Sequence, residues 1–220
     1  MKWINDFKIF EADEIQNDSP KRSERLLSQA QKESKNDPKG SGPKPSMVFT
    51  DVVGSSKMWS DDPITMFQQL KGHHKLVQEL SEKYNGWIVK TIGDAFMVYF
   101  ESDNNSLLNA IKFSKQLILT EKAYNLRVGV CEGYMDQQTY RIQKVDLKDF
   151  FGNTVNVASR MESKVAESGG CIAFSSVDGI NENKLSLIKN STSKELEQVD
   201  LSKYDLRGAT IKKAYRVRIK

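Results

Sequence analysis

The stretch Trp87–Phe100, WIVKTIGDAFMVYF, constrains the fold more than any other part of the chain. β-Branched and aromatic residues fill both arms, Trp87-Ile88-Val89 before the middle and Phe96 to Phe100 after it, as a mostly buried pair of strands requires. Gly93-Asp94 between them is acceptable tight-turn chemistry, so the arms read as a hairpin. Lys90 enters from the same ribbon, close to the aspartate. The hairpin is therefore either a turn with incidental charges or a holder for an anionic ligand.

The elements on either side fix its place. Met47–Val53, MVFTDVV, reads as a strand. Ser60-Asp61-Asp62-Pro63 then supplies N-cap oxygens and a proline for a first helical turn. Met66, Phe67, Leu70, Val77, Leu80 and Tyr84 follow at helical spacing until Asn85-Gly86 closes the helix. After the hairpin the pattern predicts a helix over about 106–122, a strand over 126–131, a helix over 153–167, and strands over 170–174 and 215–219. The order is β-α-β-β-α-β with extra strands, the ferredoxin-like arrangement of the α+β class. That plan hosts many functions and licenses none.

Residues 1–45 differ from the rest. Lys21–Lys35 reads as a polar helix, and DPKGSGPKP after it as a linker. This glycine-containing run is no phosphate-binding loop, because a strand follows it and Lys44 is not followed by Ser or Thr. The expected division is thus an arm at 1–45 and a folded domain at 46–220. A net charge of +4 leans towards a phosphate-bearing ligand without being a nucleic-acid-binding signature. No apolar run of about 18 residues is present, so no membrane span is expected. The first residues turn acidic too soon for a signal peptide. Cys131 and Cys171, without metal spacing, read as reduced and buried. The expectation is a cytoplasmic protein.

Asp51 stands mid-strand, where propensity disfavours it. Alternation puts it on one face with Phe49, while Val48, Thr50 and Val52 take the other. If the hairpin pairs with this strand, Asp51 and Asp94 meet, and two such carboxylates repel unless a divalent cation lies between them. Hard oxygen donors suit Mg²⁺ or Mn²⁺. A salt bridge at Asp51 and an N-cap role for Asp94 explain the same residues, and both readings stand at this stage. Gly54-Ser55-Ser56 offers N–H groups and hydroxyls to an anion. Asn156 and Arg160, four apart, share one helix face, opposite a core stripe of Val155, Ala158, Met161 and Val165. They are either a solvated face or a donor pair for a phosphoryl or ribose oxygen. Adjacent His73 and His74 cannot share a metal from one face and read as structural. No nucleophile–base constellation supports covalent catalysis.

FTDVVGSSKMW, KTIGDAFMVYF, LRVGVCEG and DFFGNTVNVASRMES, in this order and spacing, together resemble the class III nucleotidyl cyclase catalytic domain over about residues 45–219. The resemblance implies a head-to-tail homodimer with active sites at the interface. It implies Asp51, Asp94 and the Val52 carbonyl as ligands of two Mg²⁺ or Mn²⁺ ions per site. It puts Lys90 and Asp149 at the base-selecting positions in the combination associated with adenine; guanine-selective members carry glutamate at the lysine position. Asn156 and Arg160 fall where the transition state is stabilised. Arg207 stands where the family has a triphosphate-binding lysine, a departure that keeps the charge but not its shape. The implied reaction is conversion of ATP to cyclic AMP and pyrophosphate by attack of the ribose 3′-hydroxyl on the α-phosphate. A guanylate or pyrimidine cyclase and an inactive nucleotide-binding subunit are the alternatives. A diguanylate cyclase is disfavoured, because its Gly-Gly-Asp-Glu-Phe hallmark is replaced by IGDAF.

Overall fold

β1 (Lys44–Val52) is the hub of the sheet in the computed structural model, which describes residues 43–142 and 145–220. Buried residues occupy both faces of β1, as a strand covered on both sides requires. It pairs antiparallel with β3 (Ala95–Asp103) and with β4 (Leu126–Glu132). The expected hairpin is present: β2 (Gly86–Ile92) pairs with β3 from Gly86 opposite Phe100 to Ile92 opposite Ala95. Gly93 takes a φ of 65° at its turn, a left-handed value that glycine adopts without strain.

The order β2-β3-β1-β4 is that of the ferredoxin-like plan. β5 (Asp136–Ile142) and β6 (Val145–Phe151) form a separate antiparallel ribbon. β7 (Cys171–Ser176) extends the main sheet in parallel with β4, followed by β9 (Ala214–Arg218) and the two-residue β8 (Glu197–Gln198). The ribbon and β8 lie beyond the strands read from the sequence.

Five α-helices complete the described domain: α1 (Ser55–Asp61), α2 (Pro63–Lys83), α3 (Ser106–Thr120), α4 (Asn153–Arg160) and α5 (Glu182–Thr192). Asp62 caps α2 by accepting from the Thr65 amide at 3.0 Å, with Pro63 in the first turn, as its sequence predicts. The short α1 before it was not anticipated. Met66, His73, Val77, Leu80 and Ser81 form the buried stripe of α2, but Phe67 is 53% exposed. One residue on from Met66 is about 100° around the helix, and Phe67 lies under the Lys71 ammonium instead of in the core.

The third expected helix needs a second correction. It is α-helical only to Arg160, and Met161–Val165 is a π-helical turn. The wider turn shifts the phase of everything after it. This segment lies directly on β4: a Cβ on Gly129 would stand 2.2 Å from both the Ala158 carbonyl oxygen and the Glu162 nitrogen. Glycine at 129 is what lets the two backbones approach so closely.

The sheet separates two cores. Val48, Val98, Val128, Ile172, Phe113 and Leu117 lie on the side of α2, α3 and α5. Met47, Met97, Cys131, Ala158, Met161 and Cys171 lie on the side of α4 and the ribbon. Both cysteines are free and buried, as expected. The polar helix and residues 37–42 of the linker lie outside the described residues, while Lys44 and Pro45, read as the end of the linker, already belong to β1. Among the described residues no helix is long and apolar enough to cross a membrane.

Candidate active site

Asp51 closes β1 on the side of the second core, as its alternation with Phe49 predicts. Thr50 pairs with Phe96, so the Gly93–Asp94 turn arrives beside Asp51 and Val52. The Val52 amide donates to Asp94 Oδ2 at 3.3 Å, and Asp94 is buried. Asp94 therefore anchors to a strand end and caps no helix. Burial raises the Asp51 pKa, and the Asp94 charge adds to the rise, while Arg127 opposes it.

Arg127 stands opposite Asp51 in the β1–β4 register. Its Nε and Nη2 both donate to Asp51 Oδ2, at 2.9 and 2.6 Å. The same Nε forms an ion pair with Glu162 Oε1 from the π turn. The salt-bridge reading of Asp51 thus holds alongside its meeting with Asp94. Desolvation works against the Arg127 charge, but Glu162 and Asp51 more than offset it and hold the guanidinium above its ordinary pKa. Burial pushes the Glu162 carboxyl up to about 7, helped by the Asp51 charge and resisted by Arg127. Sequence reading passed over both residues. The available signal was that Arg127 alternates with Gly129 and Cys131 along β4, on the face that Asp51 shares.

The donor set fits a hard divalent cation. Asp51 Oδ1 lies outside both arginine bonds, and Asp94 Oδ1 outside the bond to the Val52 amide. Among the described residues no group of three His, Cys, Asp or Glu side chains forms a complete metal cage. Two carboxylates without a cage suit Mg²⁺ or Mn²⁺, which take their remaining ligands from water and substrate phosphates.

Lys90 and Asp149 do come together, Nζ to Oδ2 at 2.5 Å, half-exposed. The β5–β6 ribbon carries Asp149 to β2, and aromatic packing seats it there. Tyr99 and Phe150 stack at 4.4 Å between ring centroids, with the Trp87 ring edge-on to Phe150 at 5.9 Å. The Phe150 amide also donates to Asp149 Oδ1 at 2.8 Å, fixing that carboxylate from behind.

Asn156 and Arg160 lie on α4, which starts at Gly152 with φ 116° and ψ −177°, a conformation open essentially to glycine alone. Asn156 is exposed. Arg160 Nε donates to the Arg207 carbonyl oxygen at 3.2 Å. Asn153 pins the loop bearing Arg207 through two 2.7 Å bonds to the Thr210 backbone. The Arg207 guanidinium itself pairs with Asp205 at 2.6 Å and is 89% exposed. Gly54 takes a left-handed φ of 78° at the start of α1, whose N-cap has no side-chain hydrogen bond, and Ser55 opens that helix. Among the described residues, no hydrogen bond or ion pair links the Asp51–Asp94, Lys90–Asp149 and Arg160–Arg207 groups to one another.

His73 is a core residue, with Nδ1 2.8 Å from Glu121 Oε2 and its pKa lowered by burial. His74 lies against the Phe96 ring. Neither joins the site.

Comparison with known proteins places these groups in context. The family model described as the adenylate and guanylate cyclase catalytic domain matches residues 41–213. The chain is 26% identical over 167 residues to receptor-type adenylate cyclase A of Leishmania donovani, covering 58% of this chain and 12% of that protein. It is 31% identical over 156 residues to an adenylate cyclase of Schizosaccharomyces pombe, covering 59% of this chain and 9% of that one. The chain thus spans about an eighth or less of the length of these relatives. Its fold is shared with the guanylate cyclase domain of RhGC from Catenaria anguillulae, solved in complex with GTP. The TM-score is 0.63 at 20% identity, covering 80% of this chain and 96% of that one.

Proposed function

We propose, starting from the fact that the chain belongs to the adenylate and guanylate cyclase catalytic domain family, that it converts ATP to cyclic AMP and pyrophosphate. The observation that carries the choice of ATP is the direct Lys90–Asp149 pair. An ammonium donor beside a carboxylate acceptor complements the adenine edge, whose N1 accepts and whose 6-amino group donates.

The other roles follow from the chemistry of each side chain. Asp51 and Asp94, with the Val52 carbonyl, would hold two Mg²⁺ or Mn²⁺ ions. When bound, those ions supply charge neutralisation at the triphosphate and lower the pKa of the ribose 3′-hydroxyl. The first-turn amides at Gly54 and Ser55 offer donors to phosphate oxygens. Asn156 orients the ribose so that the 3′-oxygen lies in line with the α-phosphorus. Arg160 donates to the oxygens on which charge builds as the bond to pyrophosphate breaks. Arg207 receives the triphosphate once its guanidinium exchanges Asp205 for phosphate.

That no hydrogen bond or ion pair joins these groups among the described residues of one chain is in keeping with a head-to-tail homodimer. Two chains facing one another bring the carboxylates of each to the base reader and Arg160 of the other, giving two sites. In this reading residues 46–220 are the catalytic unit, 1–45 an appended arm, and the setting the cytoplasm, where nucleoside triphosphates are held.

The test is product analysis by liquid chromatography and mass spectrometry. The chain is incubated separately with ATP, GTP, CTP and UTP, with Mg²⁺ and with Mn²⁺. Cyclic AMP dominating, and vanishing in Asp94→Ala, is the expected result. Another cyclic nucleotide would overturn the adenine assignment alone. No product from an intact dimer would overturn catalysis.

A further inference from the structure

We propose that Arg127 and Glu162 are positioning residues that form a charge-exchange pair for the divalent-cation site: the Arg127 guanidinium neutralises Asp51 until a cation arrives, and Glu162 retains it afterwards. This inference rests on the reading of Asp51 and Asp94 as cation ligands.

One guanidinium serves two carboxylates from different elements. Its Nε and Nη2 hold Asp51 Oδ2 at the end of β1, and Nε also reaches Glu162 Oε1 in the π turn. Arginine cannot shed its proton, so a divalent ion coming to Asp51 meets a fixed positive charge already bonded there. A cation on Oδ1 and the guanidinium on Oδ2 would repel across one carboxylate, and the repulsion falls as the guanidinium turns to another anion. Glu162 is already in contact with it, so the exchange needs a shift of hydrogen bonds and no movement across the fold.

The charges suit this role. Asp51, Asp94 and Glu162 ionised, with Arg127 protonated, leave two formal negative charges, which one divalent cation neutralises. Without Glu162 only one remains, and the arginine has no partner but Asp51. The packing suits it too. Glu162 lies over Gly129, where a Cβ would stand 2.7 Å from the Glu162 Cβ. The glycine therefore leaves the room in which the carboxylate meets Arg127. The Glu162 side chain is only 10% exposed against 26% for Arg127, so the carboxylate, with little access to water, depends on the guanidinium as its partner.

The test titrates Mn²⁺ into the full chain at about pH 8, where Glu162 is ionised, without nucleotide, and reads the free ion by electron paramagnetic resonance. Circular dichroism reports folding of each variant. Glu162→Gln is expected to weaken Mn²⁺ binding about tenfold, the size of a typical coupling between sites. Arg127→Gln combined with Glu162→Gln is expected to restore affinity to within about threefold of the wild type, a rescue that a purely structural role would not give. A wild-type affinity in folded Glu162→Gln, with Asp51→Asn impaired, overturns the exchange and leaves the cation site standing. Unchanged binding in Asp51→Asn overturns both. If Glu162→Gln does not fold, the double variant is compared with Arg127→Gln alone. With the guanidinium gone, Glu162 has no cation to retain, so the double variant should bind Mn²⁺ within about threefold of Arg127→Gln, and a further loss of about tenfold overturns the proposal.

Discussion

The two faces of the sheet are built from different side chains. Under α2, α3 and α5 the core is made of large residues with well-defined shapes, with Phe100 and Phe113 packed at 5.7 Å between ring centroids. Under α4 and the ribbon it is made mostly of methionine, alanine, cysteine and valine, with Phe150 its one buried ring among the described residues and Gly129 in contact with helix backbone. Small and adaptable residues let backbone approach backbone, and that approach brings Glu162 to Arg127 and Arg127 to Asp51. Burying such charges costs stability, which the first face must supply. One face holds the molecule together, and the other holds the charges in place.

Four experiments can break or sharpen that division. The largest effect is expected on the first face. Phe113→Ala should cost about 3–5 kcal/mol in urea unfolding while the folded fraction keeps its turnover number. On the second face Arg160→Ala should lower kcat by about 10²–10³-fold, near 2.7–4 kcal/mol of barrier. Its Tm should stay within about 2 °C, because its hydrogen bond to the Arg207 carbonyl is exposed. A loss of stability in Arg160→Ala matching that of Phe113→Ala would erase the contrast.

The third experiment uses pH. The folded state holds the Glu162 carboxyl at about 7 against an ordinary 4.5, so it binds this proton more tightly than the unfolded chain does. Stability from this group is therefore greatest at low pH and falls as pH rises between those two values. The stability of the wild type relative to Glu162→Gln should drop by about 1–3 kcal/mol between pH 4.5 and 8. A gap that does not change with pH would show the carboxyl to be ordinary. The smallest effect concerns base choice. Lys90→Glu should move the ATP-to-GTP ratio of kcat/KM by about tenfold towards GTP, near 1.4 kcal/mol. An unchanged ratio would take Lys90 out of base recognition.

Much of the first face was legible because its signals are local. The alternation of β1 and β3, Asp62-Pro63 at the start of α2 and Gly93 at the hairpin turn each need only a few neighbouring residues. The exposure of Phe67 was missed because its apolar character suggested burial at an angle that α2 turns outward. The meeting of Asp51 with Asp94 was legible on one added assumption, that the hairpin pairs with β1. The Arg127–Glu162 contact was not, because it depends on the β1–β4 register and on a π turn that changes the helix phase. Nothing between residues 127 and 162 announces either.

The sequence by itself determined six strands of the main sheet, the three helices α2, α3 and α4, their order and the residue types able to meet a nucleoside triphosphate. These follow from backbone preference and periodicity, which act over one or two turns of chain. Only the tertiary structure decided that Arg127 holds Asp51, that Glu162 holds Arg127, and that Lys90 meets Asp149. Each of those contacts joins elements far apart in sequence. Sheet register and helix packing create them, and both are settled by the chain as a whole.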